Sequence, residues 1–120
     1  MEALTPETRA AIPDGALVIT RWPFRIGRRA ERNPKTDNEL VLLDSEPFRI
    51  SRAHCALARI NGRYYLLDRG SRRGTVVNGQ PVGRGAGRYR VELRRGANEI
   101  VLGGADSPWR LRITLATMSP

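Results

Sequence analysis

The chain is poor in the residues that most metal sites and many active sites need. It has one cysteine and one histidine in 120 residues, Cys55 and His54. A lone cysteine excludes an internal disulfide and a cysteine-based metal site, and a lone histidine excludes a multi-histidine zinc site. Lys35 is the only lysine, against 20 arginines. Aromatics are few as well: two Phe, two Trp and three Tyr. That is too sparse for the basic–aromatic interleaving of a single-strand nucleic-acid binder. No apolar run approaches the roughly 18 residues that a membrane-spanning helix needs. The polar stretch Met1–Ala10 carries Glu2 and Glu7 and reads as neither a signal nor a transit peptide. These absences point to a soluble protein of a reducing compartment, most simply the cytoplasm. No cofactor motif is present, and any nucleophilic triad would have to use His54. An enzyme is therefore not expected.

What is abundant is positive charge. Lys plus Arg is 21 and Asp plus Glu is 12, a net charge of +9. Arginine carries a planar fork of donors suited to oxyanions, where lysine is a point charge. The charge is also unevenly placed. Twelve arginines lie between Pro47 and Gly104, with only Asp68, Glu92 and Glu99 as acids. The stretch from residue 31 to 46 holds Glu31, Asp37, Glu39, Asp44 and Glu46.

Short apolar runs broken by Gly, Pro, Asn and Asp predict strands at Ala16–Thr20, Phe24–Ile26, Leu40–Leu43, Cys55–Ile60, Tyr64–Leu67, Tyr89–Leu93, Ile100–Leu102 and Trp109–Leu115. Trp109, Leu111, Ile113 and Leu115 alternate with Arg110, Arg112 and Thr114, the period of a half-buried strand. Asn61-Gly62 marks a tight hairpin and Asn78-Gly79 a second turn. No segment keeps a helical apolar stripe over three turns. The expectation is an all-β antiparallel sandwich. It occupies residues 16–116, after a flexible lead-in of residues 1–15 with a possible first strand, and before a tail of residues 117–120. Thr5 and Thr8 of the lead-in are candidate kinase targets whose phosphorylated form could fold back onto the arginines.

Three clusters carry chemistry. Gly27-Arg28 ends one strand, Ser51-Arg52-Ala53-His54 opens another, and Ser71-Arg72-Arg73-Gly74-Thr75-Val76-Val77-Asn78-Gly79 fills a loop and a turn. If their strand ends meet at one edge, Arg28, Arg52, Arg72 and Arg73, the Ser51 hydroxyl and amides near Gly74 surround one point. Forked cations, a hydroxyl and backbone N–H groups suit a phosphate dianion with its three acceptor oxygens.

The three clusters, in this order and on apolar flanks, resemble the forkhead-associated (FHA) family. The stretches carrying the likeness are Phe24-Arg25-Ile26-Gly27-Arg28, Ile50-Ser51-Arg52-Ala53-His54 and Arg73-Gly74-Thr75-Val76-Val77-Asn78-Gly79. The resemblance covers roughly residues 17–115. It implies a sandwich of about eleven strands that reads phosphothreonine in a partner protein, either a Ser/Thr-kinase substrate or the kinase itself. It implies that Arg28, Ser51, Arg52 and Arg72 contact the phosphate, with Gly27, His54, Gly74, Thr75 and Asn78 as scaffold. Arg73 departs from the family's usual asparagine, which holds the peptide backbone. Arginine has no acceptor for a two-way clamp, so Arg73 is expected to add charge instead. A phosphate-independent interaction scaffold and, further off, a basic nucleic-acid binder are the alternatives.

Overall fold

The computed structural model describes residues 1–29 and 38–116. Its clearest local element is the hairpin at Asn61-Gly62. Both residues have positive φ, 51° and 76°, the backbone that a two-residue turn matched to strand twist requires. It joins β4 (Cys55–Ile60) to β5 (Arg63–Asp68), with Ile60 opposite Arg63. Asn78 and Gly79, at φ 50° and 82°, do the same between β6 (Thr75–Val77) and β7 (Gln80–Val82).

The remaining strands are β1 (Glu2–Ala3), β2 (Phe24–Arg28), β3 (Leu40–Leu42), β8 (Arg90–Glu92), β9 (Gly96–Leu102) and β10 (Arg110–Leu115). They form two five-stranded sheets, ordered β1-β10-β9-β6-β7 and β3-β2-β4-β5-β8. The inner faces close on one core. Ile26, Leu42, Leu57 and Leu66 of one sheet and Ile100, Leu102 and Leu111 of the other are fully buried. Arg112 and Thr114 stay exposed beside buried Leu111 and Ile113, as the alternation requires.

The fold is the all-β sandwich expected, with differences in detail. Ten strands rather than eleven lie among the described residues, and one pair, β2–β3, is parallel. Ala16–Thr20 is not a strand. Ala16 forms a single bridge to Glu2, because the place beside β10 is already taken by β1. Leu17 and Ile19 still lean on the core while Val18 is exposed, so the alternation is real but has no ladder beside it. The strands β6 and β7 are three residues each, too short to stand out as runs.

Residues 1–15, expected to be flexible, are instead packed onto the sheet. Ala3 and Ile12 are buried in the core, and Met1 and Ala11 pack against it. A one-turn helix, α1 (Pro6–Arg9), sits here; four residues are too few to show a helical stripe. Thr8 is fully buried, and its hydroxyl donates to the Arg110 carbonyl at 2.8 Å. A kinase cannot reach that hydroxyl in the folded chain, so Thr8 does not serve as a fold-back phosphosite. Glu31 and Asp37 of the acidic stretch, and the tail of residues 117–120, lie outside the described residues. Among the described residues no helix is long and apolar enough to cross a membrane.

Candidate functional site

Gly27 is where β2 comes closest to another segment. A Cβ there would overlap the Arg52 carbonyl oxygen, so only glycine lets residues 51–52 lie against the strand. The approach is fixed by the Arg28 amide donating to the Ser51 carbonyl at 2.9 Å. The Arg28 side chain is held as well. Its Nε donates to the Ile50 carbonyl at 2.9 Å, and its guanidinium lies 3.8 Å from the centre of the Phe48 ring.

Ser51 links this sheet to the other. Its Oγ accepts the Arg72 amide at 2.9 Å, and its own amide donates to His54 Nδ1 at 3.0 Å. The other ring nitrogen, Nε2, lies 2.9 Å from the Gly74 carbonyl. A nitrogen that accepts carries no proton, so Nδ1 is bare and Nε2 donates: one neutral tautomer satisfies both contacts. His54 is fully buried, and burial lowers its pKa, opposed in part by the Gly74 bond and nearby Asp68.

A folded-state pKa below the unfolded value means the unfolded chain binds the extra proton. Stability from this group is therefore complete above the unfolded pKa, about 6.5, and falls as pH drops below it. The half-buried Met1 amine, also lowered by its desolvation, acts with the same sign near its ordinary 8.0. The expected result is a loss of unfolding free energy between pH 7.5 and 5.5. A proton NMR titration should place the midpoint of the sole histidine ring in the native protein below its ordinary 6.5. A native midpoint at or above 6.5 would contradict the buried neutral role.

The loop between β5 and β6 is built around Asp68. Its Oδ1 accepts the amides of Gly70 (2.9 Å) and Ser71 (2.8 Å), and its Oδ2 accepts the hydroxyls of Ser71 (2.6 Å) and Thr75 (2.8 Å). Ser71 Oγ in turn accepts the Gly74 amide at 3.0 Å. Gly74 takes φ +81°, a backbone that side chains strain to adopt. The result is a tight turn that presents Arg72 and Arg73 outward, both exposed.

The structure thus brings Arg28, Ser51 and the Arg72 amide to one edge, with His54, Gly74 and Thr75 beneath. Arg72 and Arg73 share a cleft of about 560 Å³ with Glu46, Pro47 and Phe48. Arg52 joins through its backbone: its carbonyl accepts Asn38 Nδ2 at 2.8 Å, while its side chain is exposed. Asn78 makes its hydrogen bonds to β9 and not to the residues of this edge. It ties the β6–β7 turn to β9, its amide donating to the Glu99 carbonyl and its Oδ1 accepting the Glu99 amide, both at 2.9 Å. Among the described residues no carboxylate pairs with Arg28, Arg52, Arg72 or Arg73.

Sequence reasoning missed Asp44 and Phe48, and it picked out the loop from Asp68 to Thr75 for its arginines without seeing the bonding roles of Asp68 and Ser71. Asp68-Arg69-Gly70-Ser71 does carry a usable sign, since aspartate before glycine and serine favours side-chain-to-backbone turns. Phe48 carried no sign, as a single aromatic in an irregular loop. The described acids of the 31–46 stretch have separate jobs. Glu39 pairs with Arg25 at 2.8 Å, Asp44 bonds the amides of residues 45, 49 and 50, and Glu46 lines the cleft.

A family model described as "FHA domain" matches residues 24–103, the span that contains every element of this edge. The chain belongs to the FHA-domain family. No curated protein matches it. Among solved structures, it is similar to the FhaA FHA domain complexed with the intracellular domain of Rv3910. The identity is 25%, with 76% of this chain and 84% of that one covered and a TM-score of 0.53. It is also similar to the FHA domain of an Arabidopsis thaliana hypothetical protein, at 25% identity, 81% and 70% coverage and TM-score 0.55. Mycobacterium tuberculosis EmbR, solved with a low-affinity phosphopeptide, shares the fold at 23% identity, 91% and 24% coverage and TM-score 0.57. FHA domains are phosphopeptide-binding protein-interaction modules, and this FHA domain is an interaction module of that β-sandwich type.

Proposed function

We propose that this FHA domain binds a phosphothreonine-containing segment of a partner protein, a kinase substrate or the kinase itself. The observation that carries the reading is the set of free donors at one edge. The Nη atoms of Arg28 have no partner among the described residues, and its Nε and ring face are occupied, so the open fork is the part left to a ligand. Ser51 Oγ accepts from Arg72 and keeps its hydroxyl proton to give. Exposed Arg52, Arg72 and Arg73 add charge around them. A phosphothreonine brings about −1.5 to −2 charge and three acceptor oxygens, which match this inventory. The FhaA FHA domain was solved in complex with a protein domain, which supports a protein partner. The cytoplasm suits the chain's only cysteine, Cys55, a free thiol that is fully buried, with its pKa raised by burial.

The test is titration of a phosphothreonine peptide library and its unphosphorylated counterpart. Only the phosphorylated set should bind. Equal binding of both would favour the phosphate-independent scaffold. Ser51→Ala removes one hydrogen bond to a charged group, worth about 1.5–3 kcal/mol, so affinity should fall about 10–150-fold. An unchanged isotherm would place the phosphate elsewhere.

A further inference from the structure

We infer that Phe48 is the positioning residue for the phosphate-binding arginine, holding the Arg28 guanidinium against its ring with the Nη pair left open to a ligand; this rests on the reading above. Arg28 has a long, rotamer-rich side chain, and a site that must order it on binding loses affinity to that ordering. Here two contacts order it before any ligand arrives. Its Nε is tied to the Ile50 carbonyl, and the Phe48 ring lies under its plane at 3.8 Å. A cation over an aromatic face is attracted by the ring's quadrupole, and arginine also stacks flat on it. The two contacts together leave the Nη pair as the free edge.

Phe48 is not a chance neighbour on a loose loop. Asp44 Oδ1 accepts the Ser45 amide at 2.9 Å, while its Oδ2 accepts the amides of Arg49 (2.7 Å) and Ile50 (2.9 Å). Arg49 then reaches across to Asp106 at 3.0 Å, where the approach is so close that a Cβ on Gly103 would lie 2.8 Å from the Arg49 Cβ. Residues 44–50 are thus tied at both ends, and Phe48 projects between the ties. Phe48 as a whole keeps 37% of its surface exposed, too much for a residue placed solely to fill the core. Its cleft neighbours are Arg72 and Arg73.

The experiment compares Phe48→Ala, Phe48→Leu and Phe48→Tyr, alone and with Arg28→Gln. It measures phosphothreonine-peptide affinity, melting temperature and the Arg28 Nε–Hε NMR signal. Phe48→Ala should weaken binding about tenfold with the melting curve little moved. Phe48→Tyr should keep wild-type affinity, and Phe48→Leu should behave like alanine, since it fills space without a π face. Over Arg28→Gln, Phe48→Ala should have no further effect. Any of three results overturns the proposal: Phe48→Ala binding within twofold of wild type, Phe48→Leu matching wild type, or a full tenfold loss persisting over Arg28→Gln, which would mean direct peptide contact. If the wild-type chain binds no phosphothreonine peptide, the functional reading fails, and the free protein still decides this point. The Arg28 Hε signal should be shifted upfield by the ring and should return to the ordinary arginine position in Phe48→Ala. An Hε signal that does not move overturns the positioning role.

Discussion

Arg28→Ala should reduce phosphothreonine-peptide binding by about 2–5 kcal/mol, roughly 30- to 4,000-fold, the loss expected when one partner of a close charge pair is removed. The magnitude follows from what Arg28 uniquely offers. It is the one arginine of the edge that is half-buried and fixed by contacts on Nε and ring face. Arg52, Arg72 and Arg73 are exposed side chains, and a charge contact in high dielectric is worth little. Arg28→Lys should fall between wild type and alanine, since it retains the charge and gives up the fork. The backbone beneath should survive, because the amide that zips β2 to Ser51 belongs to the main chain. Circular dichroism and peptide titration on the same sample separate the two effects. Retained affinity in a folded Arg28→Ala would remove the phosphate from this edge altogether.

Asp68→Ala should be the most damaging single change to stability, at about 3–5 kcal/mol. The carboxylate is nearly buried and accepts four hydrogen bonds, two from amides and two from hydroxyls. Its loss leaves four donors of one small loop without their acceptor, each a desolvation cost with no return. For a domain of this length the melting temperature should drop by about 12–20 °C. Asp68→Asn, with one acceptor oxygen and two donor hydrogens, should recover part of that loss. Binding should suffer as well, since the Arg72 amide that meets Ser51 Oγ is placed by this loop. A drop of only a few degrees would mean that water replaces the carboxylate at low cost.

The framework of the domain was legible wherever periodicity or turn chemistry speaks locally. The Asn-Gly pairs fixed two hairpins, and the alternation along residues 109–115 placed β10 correctly. The three clusters of the site were legible as residue types in order. The sequence did not show what lies under them. Asn98 is an example. Together with Glu99 it breaks the apolar pattern ahead of Ile100, so the sequence predicts a strand that begins only at Ile100. In the fold Asn98 is fully buried, its Nδ2 donating to the carbonyls of Arg94, Gly96 and Ile113 and its Oδ1 accepting from Asn78 and the Arg94 amide. A polar residue satisfied by partners 15 and 20 positions away cannot be told from a surface one by pattern. The same holds for Thr8, whose acceptor on Arg110 is 102 residues distant. Phe48 and Asp44 owe their roles to a loop closure that no local period encodes.

The strand order has a consequence for how the domain behaves in crowded solution. A sheet edge with unpaired N–H and C=O groups is a template on which another chain can grow. Among the described residues the four edges are β1, β7, β3 and β8, and none exceeds three residues. The longest strands, β4, β5, β9 and β10, all lie inside their sheets. β7 also carries Pro81, which has no N–H to offer, and β8 carries Arg90 and Glu92, whose charges resist close stacking. Two copies meeting edge to edge would find only a few hydrogen bonds to share. The domain is built to resist self-polymerisation, and can present its arginine-rich edge at high local concentration while remaining a separate unit.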